Sequence, residues 1–296
     1  MIAIMVSQLV TLIQMINVLG NISVQWPQSF TNLLSVTALL IFRLEFLNMG
    51  CLTTPPAIMT YAATALGFVV LLTVIIALHF LHLAVFHWSK FRTAEVGEFT
   101  PALVRALGTV FVPVVISVCS AIAAPLQCEH HPNGEYTVQA YPQVVCWNVA
   151  YGSDHRSMLL LGICVSVVPL GFLTLCIWVV RSLPKRLREG DTFFLHSFAF
   201  LFRRFRPGCH WYILVVVVRN CGVALVPTLP DDSLALVVLG MIVLPCVVVG
   251  SAVFPWRVRF ANFCDIAING GFLTMIFLGA LFMEKANKGL VANLVF

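Results

Sequence analysis

Residues 66–88 read LGFVVLLTVIIALHFLHLAVFHW, with no ionisable side chain other than three histidines. The apolar character starts earlier, at Ala57. At about 1.5 Å of rise per residue, the whole run exceeds the roughly 30 Å hydrocarbon core of a bilayer. A helix from it must tilt or extend beyond one face. A helix apolar on every side is a membrane span in a chain of this size, because a small soluble core cannot surround it. Composition agrees: 60% of residues are hydrophobic and 10% charged, against about 25% charged in soluble proteins. Mean hydropathy is +0.98.

Working outward, apolar segments occur at 2–19, 29–47, 58–87, 102–124, 158–181, 211–227, 233–254 and 262–283. The last six read securely as spans. Ser7, Gln8, Gln14 and Asn17 interrupt the first, and Arg43 and Glu45 the second, so each reads either as a crossing or as an interfacial helix. The expected fold is all-α, a polytopic transmembrane bundle of about eight segments forming one membrane domain over 1–296. Its two substantial connections are an extracellular loop at 125–157 and a basic cytoplasmic loop at 182–210. A signal peptide over the first twenty residues is the competing reading, with VLG before Asn21 as its cleavage site. The missing basic residues ahead of the apolar stretch argue against it.

Orientation follows from the basic residues. If the segments alternate, the connections 88–101, 182–210 and 255–261, with Arg105 and Arg181 at their edges, share one side and hold twelve of the seventeen Lys and Arg residues. The opposite connections and the tail hold Arg156, Lys285 and Lys288. By the positive-inside rule the richer side is cytoplasmic. Both termini are then expected outside or in a lumen, in the plasma membrane or an endomembrane. Asn21-Ile22-Ser23 matches the glycosylation pattern, yet strict alternation puts it inside.

CEHHPNGEYTVQAYPQVVC, residues 128–146, is polar and falls outside on this map. Thiols oxidise there, and a Cys128–Cys146 disulfide is expected. HPNG supplies a turn, and YTV and YPQVV supply two short strands back to the second cysteine. Two unpaired cysteines flanking a loop are the alternative. Cys51, the other outer-face cysteine, is left without a partner.

WPQSF at 26–30, Cys51, the 128–146 loop followed by His155, FLFRRFRP at 200–207, Arg219-Asn220 and FPWRVRFANFCD at 254–265 form a series. In that order they resemble the multi-pass C-terminal region of large cell-surface proteins of protists, including dinoflagellates and oomycetes. More distantly the chain is similar to the transient receptor potential-like membrane proteins of fungi and to polycystin-type channels. The resemblance implies an ion-conducting role without assigning pore residues. It also implies a large extracellular region ahead of the first span, so the chain is expected to be a fragment or a minimal member. A non-conducting membrane anchor or receptor region of a larger cell-surface protein is the other function it allows.

Arg219 and Asn220 sit near the middle of an apolar segment, where a charge needs a partner. Asn262, Asp265 and Asn269 fall on one face of the last segment, which runs the same way. Asn269 lies at about the depth of Arg219, and Asp265 lies closer to the basic side. A polar pathway and an interhelical clamp both explain the cluster, with the clamp favoured. Glu45 would serve as a cation vestibule, and snorkelling of Arg43 and Glu45 is the plainer account. DTFFLHSFAFLFRRFRPG, 191–208, reads as an amphipathic helix capped by Asp191. Arg203, Arg204 and Arg206 are then expected to face anionic lipid of the inner leaflet. His79 and His82, with His87 farther along, have i, i+3 spacing, a weak metal or proton-relay signal that amphipathic side chains near the cytoplasmic end explain as well. His130, His131 and His155 share the outer surface and could gather a metal ion or sense pH, but they lack metal-ligand spacing. Ala63 and Gly67, and Ala267 and Gly271, would permit close helix packing.

No HExxH, G-x-S-x-G, P-loop or intramembrane aspartate pair is present, so no enzymatic activity is expected. Neither a metal nor another cofactor is expected, and nothing calls for nucleic acid. The expected partners are the bilayer, anionic lipids, ions and copies of the same chain in a homo-oligomer.

Overall fold

The computed structural model describes residues 2–22, 24, 26–40, 55–86, 99–147 and 153–282. The chain begins with α1 (Ile2–Gly20), α2 (Gln28–Leu40), α3 (Ala57–Phe86) and α4 (Thr100–Ala123). A small sheet of β1 (Cys128–His130), β2 (Tyr136–Val138) and β3 (Tyr141–Val145) follows. Then come α5 (Asp154–Glu189), α6 (Thr192–Ser197), α7 (Ala199–Phe202), α8 (Tyr212–Leu225), α9 (Asp232–Val253) and α10 (Arg259–Leu281).

Among the described residues six helices are long and apolar enough to cross a membrane: α1, α3, α4, α5, α9 and α10. The interrupted first segment is among them, whereas Tyr212–Thr228 is shorter. The polar residues of α1 do not disqualify it because Gln8, Thr11 and Gln14 are buried in the bundle, while Val6 and Leu9 are exposed. A lipid-facing stripe and a polar inner stripe coexist on one helix. α3 buries Ala57, Tyr61, Ala65 and Leu83 and leaves most of its surface open. It is a rim helix.

Named contacts give the direction of each helix. At one end Gln8 donates from Nε2 to the carbonyl of Ala261 at 3.0 Å. Arg204 donates to the Ser7 hydroxyl at 3.3 Å. At the other end the carbonyl of Asn21 accepts from Gln139 of the β2–β3 turn at 3.1 Å, and the indole of Trp26 lies against Gly279. α1 therefore runs from the basic end to the sheet end. α3 starts at the sheet end too, since Ala57 and Tyr61 pack with Val138 and Tyr141.

This corrects the strict alternation expected from eight segments, which put residues 20–28 opposite the disulfide loop and the N-terminus on its side. The chain leaves α1 and enters α3 at the same end. α2 is described over 13 residues, Gln28–Leu40, and the rest of the expected segment, 41–47, lies outside the described residues. Leu34 within it still touches Gly20. α1, α3, α4, α5, α8, α9 and α10 alternate, with the start of α1 at the basic end and the finish of α10 at the sheet end. A cysteine introduced at Asn21 should react with an impermeant maleimide from the same side as one at Asn133. One at Arg188 or at residue 3 should react only from the other side. Labelling of positions 21 and 133 from opposite sides would overturn this map.

The basic end is a knot of two connections. Asp191 caps α6, accepting from the Phe194 N–H at 3.0 Å. The helix expected to run on through 205 instead breaks at Phe198. Phe194, Phe200, Leu201 and Phe205 are buried with Val112, Tyr212 and Trp256, so helices cover this aromatic face and it does not lie on lipid. Phe200 enters because residue 108 is glycine: a methyl there would overlap its ring. Phe205 bridges Trp256 in antiparallel fashion. Arg206 N–H donates to the Pro255 carbonyl at 2.8 Å, and Arg257 N–H to that of Arg204 at 3.0 Å. The close helix contact expected at Gly271 does not form, since nothing approaches within 4 Å of a Cβ placed there. Ala63 is exposed.

The sheet is antiparallel in the order β1-β2-β3. Cys128 pairs with Val138, and Val138 with Tyr141. Gly134 takes a positive φ of 85° in the turn. The Cys128–Cys146 disulfide is present, with Cα atoms 6.3 Å apart, and Val138, Tyr141 and Val144 rest on α3 and α5 through Tyr61 and Met158.

Candidate functional site

Arg219 projects from α8 into the bundle and is 5% exposed. The apolar run Leu214–Val218 leads into it. Val216 and Val217 share its burial, as does Asn220 after it, whereas Val218 turns outward. Arg219 donates to Asn220 Oδ1 from Nε at 3.1 Å and from Nη2 at 3.0 Å. Its Nη1 donates to Asn269 Oδ1 on α10 at 2.8 Å and lies 3.7 Å from Asp265 Oδ1.

Asp265 is held from two more directions. The Tyr212 hydroxyl donates to its Oδ2 at 2.8 Å, and Asn269 Nδ2 donates to its Oδ1 at 3.1 Å and to its carbonyl at 2.7 Å. One positive and one negative charge thus meet inside the bundle with hydrogen bonds to neutral partners. This is the arrangement in which a buried pair offsets its desolvation cost. Hydrogen bonds to ionised groups are also the stronger ones.

Four of the five residues expected in this cluster are therefore together: Arg219, Asn220, Asp265 and Asn269. Asn262 shares their helix face but does a different job one turn nearer the basic end. Its Oδ1 accepts from the Trp256 N–H at 2.8 Å, and its Nδ2 donates to the Trp256 carbonyl at 3.0 Å. It fastens the α9–α10 connection, where Phe254 takes a positive φ of 47°. Tyr212 was not expected, although its spacing of seven residues from Arg219 places it on the same face of α8.

A cavity of about 20 Å³ adjoins the pair, lined in part by Ser7, Gln8, Arg204, Arg219, Trp256 and Asp265. That is room for about one water. Gln8 Oε1 and Trp256 Nε1 are buried there without a hydrogen-bond partner among the described residues. One needs a donor and the other an acceptor, which suits a water between them. Burial lowers the proton affinity of Arg204 from its ordinary value. Toward the sheet end the interior is closed by Met15, Leu19, Ile116, Val223, Leu239 and Phe272. The contribution of α1 could not be found by spacing, because nothing local in its sequence pairs it with α10.

The other expected residues scatter. Arg203 and Arg206 are exposed at the basic end, whereas Arg204 turns inward to Ser7. His79 lies against Phe80 and His82 against Phe86. His130 meets the Tyr136 ring edge to face, and His131 meets the Thr137 hydroxyl at 2.6 Å. His155 leaves that surface and is 1% exposed. Arg43, Glu45, Cys51 and His87 lie outside the described residues.

Six membrane-length apolar helices, a charged pair inside the bundle and a disulfide-closed sheet at one end define the class, a multi-pass helical membrane protein. No family model, curated protein or solved structure matches the chain.

Proposed function

We propose that the protein is a membrane channel or transporter whose path enters from the basic end and is closed at the Arg219–Asp265 pair. The observation that carries this reading is the polar cavity beside the pair, with Gln8 Oε1 and Trp256 Nε1 left for water. A polar recess beneath an apolar seal is the form a gated path takes when shut. Its lining carries Arg204 and Arg219 against Asp265, and a surplus of guanidinium favours an anion. The basic end is cytoplasmic on this proposal, by the positive-inside rule. The sequence resemblance to transient receptor potential-like proteins belongs to the same proposal.

The second reading is a non-conducting membrane anchor or receptor region. The hydrogen bonding of Arg219 and Asp265 to each other's neighbours favours it, since a clamp needs no more. Purified protein in liposomes separates the two. Chloride efflux above that of empty liposomes, altered by Arg204→Gln, supports the path. Efflux equal to empty liposomes for both chloride and potassium, from protein that is folded and inserted, removes the transport reading.

A further inference from the structure

We infer that Cys128, Cys146 and His155 form a zinc(II) site that opens when the disulfide is reduced. The site stands at the opposite end of the bundle from the Arg219 cavity and does not depend on the transport reading.

The ligand atoms of these three residues all lie within 4.8 Å of one another. His155 is 1% exposed, and Cys146 is 6% exposed. His155 Nε2 is 3.1 Å from the carbonyl of Pro125. A carbonyl only accepts, so Nε2 carries the hydrogen and Nδ1 keeps its lone pair. Nδ1 is buried and has no hydrogen-bond partner among the described residues. A buried imidazole with one ring nitrogen anchored to a carbonyl and the other left bare is how metal-ligating histidines are held. An unpaired buried nitrogen otherwise costs stability. The ring's other neighbours include the Trp147 ring, edge-on at 5.8 Å between centroids, and the two sulfurs.

As a disulfide neither sulfur is a thiolate, and the site is closed to metal. A dithiol opens it by exchange: it becomes a disulfide itself and leaves Cys128 and Cys146 as two thiols. Zinc(II) then displaces both thiol protons and takes the Nδ1 lone pair. Two thiolates and an imidazole match the ligand preferences of zinc, with a fourth position open to water. The metal would keep β1 tied to the end of β3 after the covalent link is broken.

The test uses the full chain in detergent, reduced with a phosphine, which takes its oxygen from water and leaves both thiols. Cobalt(II) is the optical probe. Reduced protein should show thiolate-to-cobalt absorption that excess zinc abolishes, and oxidised protein should not. His155→Ala should weaken cobalt binding by about tenfold or more. Absorption no greater than that of the Cys128→Ser/Cys146→Ser variant would overturn the proposal, as would equal affinity in His155→Ala. A second measurement needs no variant: zinc should slow alkylation of Cys128 and Cys146 in the reduced protein but not of exposed Cys164. Unchanged alkylation at 128 and 146 also overturns it.

Discussion

Arg219→Leu is expected to destabilise the folded protein by about 3–5 kcal/mol, the usual consequence of leaving one member of a buried ion pair alone. Asp265 would keep its Tyr212 and Asn269 hydrogen bonds but lose its only guanidinium among the described residues. Asp265→Leu should be comparably harmful, since it strands Arg219 between two neutral amides. The double variant should recover much of the loss, because neither charge then remains. The measurement is the monodisperse fraction after detergent extraction, with thermal unfolding of what survives. Additive losses would show that Arg219 depends on something other than Asp265. A double variant that folds and loses flux would tie the pair to conduction, whereas one that folds and keeps any flux would leave it as a clamp.

Removing the disulfide with Cys128→Ser/Cys146→Ser should destabilise the sheet by about 2–5 kcal/mol. The link spans 18 positions of sequence, and the three strands have few residues with which to replace it. The loss should be local. Val138, Tyr141 and Val144 detach from Tyr61 and Met158, while the Arg219 cluster at the other half of the bundle is untouched. Limited proteolysis should therefore cut within 129–145 many times faster in the variant, with the helices still protected. Cleavage at the wild-type rate would mean that packing on α3 and α5 alone holds the sheet.

Much of the architecture was written in local sequence. An apolar run long enough to cross a bilayer is legible residue by residue, because the cost of exposing a backbone to lipid is met within the helix itself. The turn at 131–134 and the flanking cysteines likewise declare the small sheet. Even the long-range pair Arg219–Asp265 was legible, since a charge inside a span compels a partner and depth along two parallel helices can be counted. The direction of α1 was not legible. Its Gln8 looks like a defect in a span until the Ala261 carbonyl and the cavity beside Arg219 are seen against it, and only packing brings those helices together. The aromatic face of 191–205 posed the same difficulty. In a membrane protein apolar side chains cover both the surface against lipid and the core, so periodicity marks a buried face without saying what buries it. Tertiary structure decided that Phe194, Phe200 and Phe205 meet helices, that α1 ends and α3 begins at the sheet end, and that His155 lies beside the disulfide and not among the surface histidines.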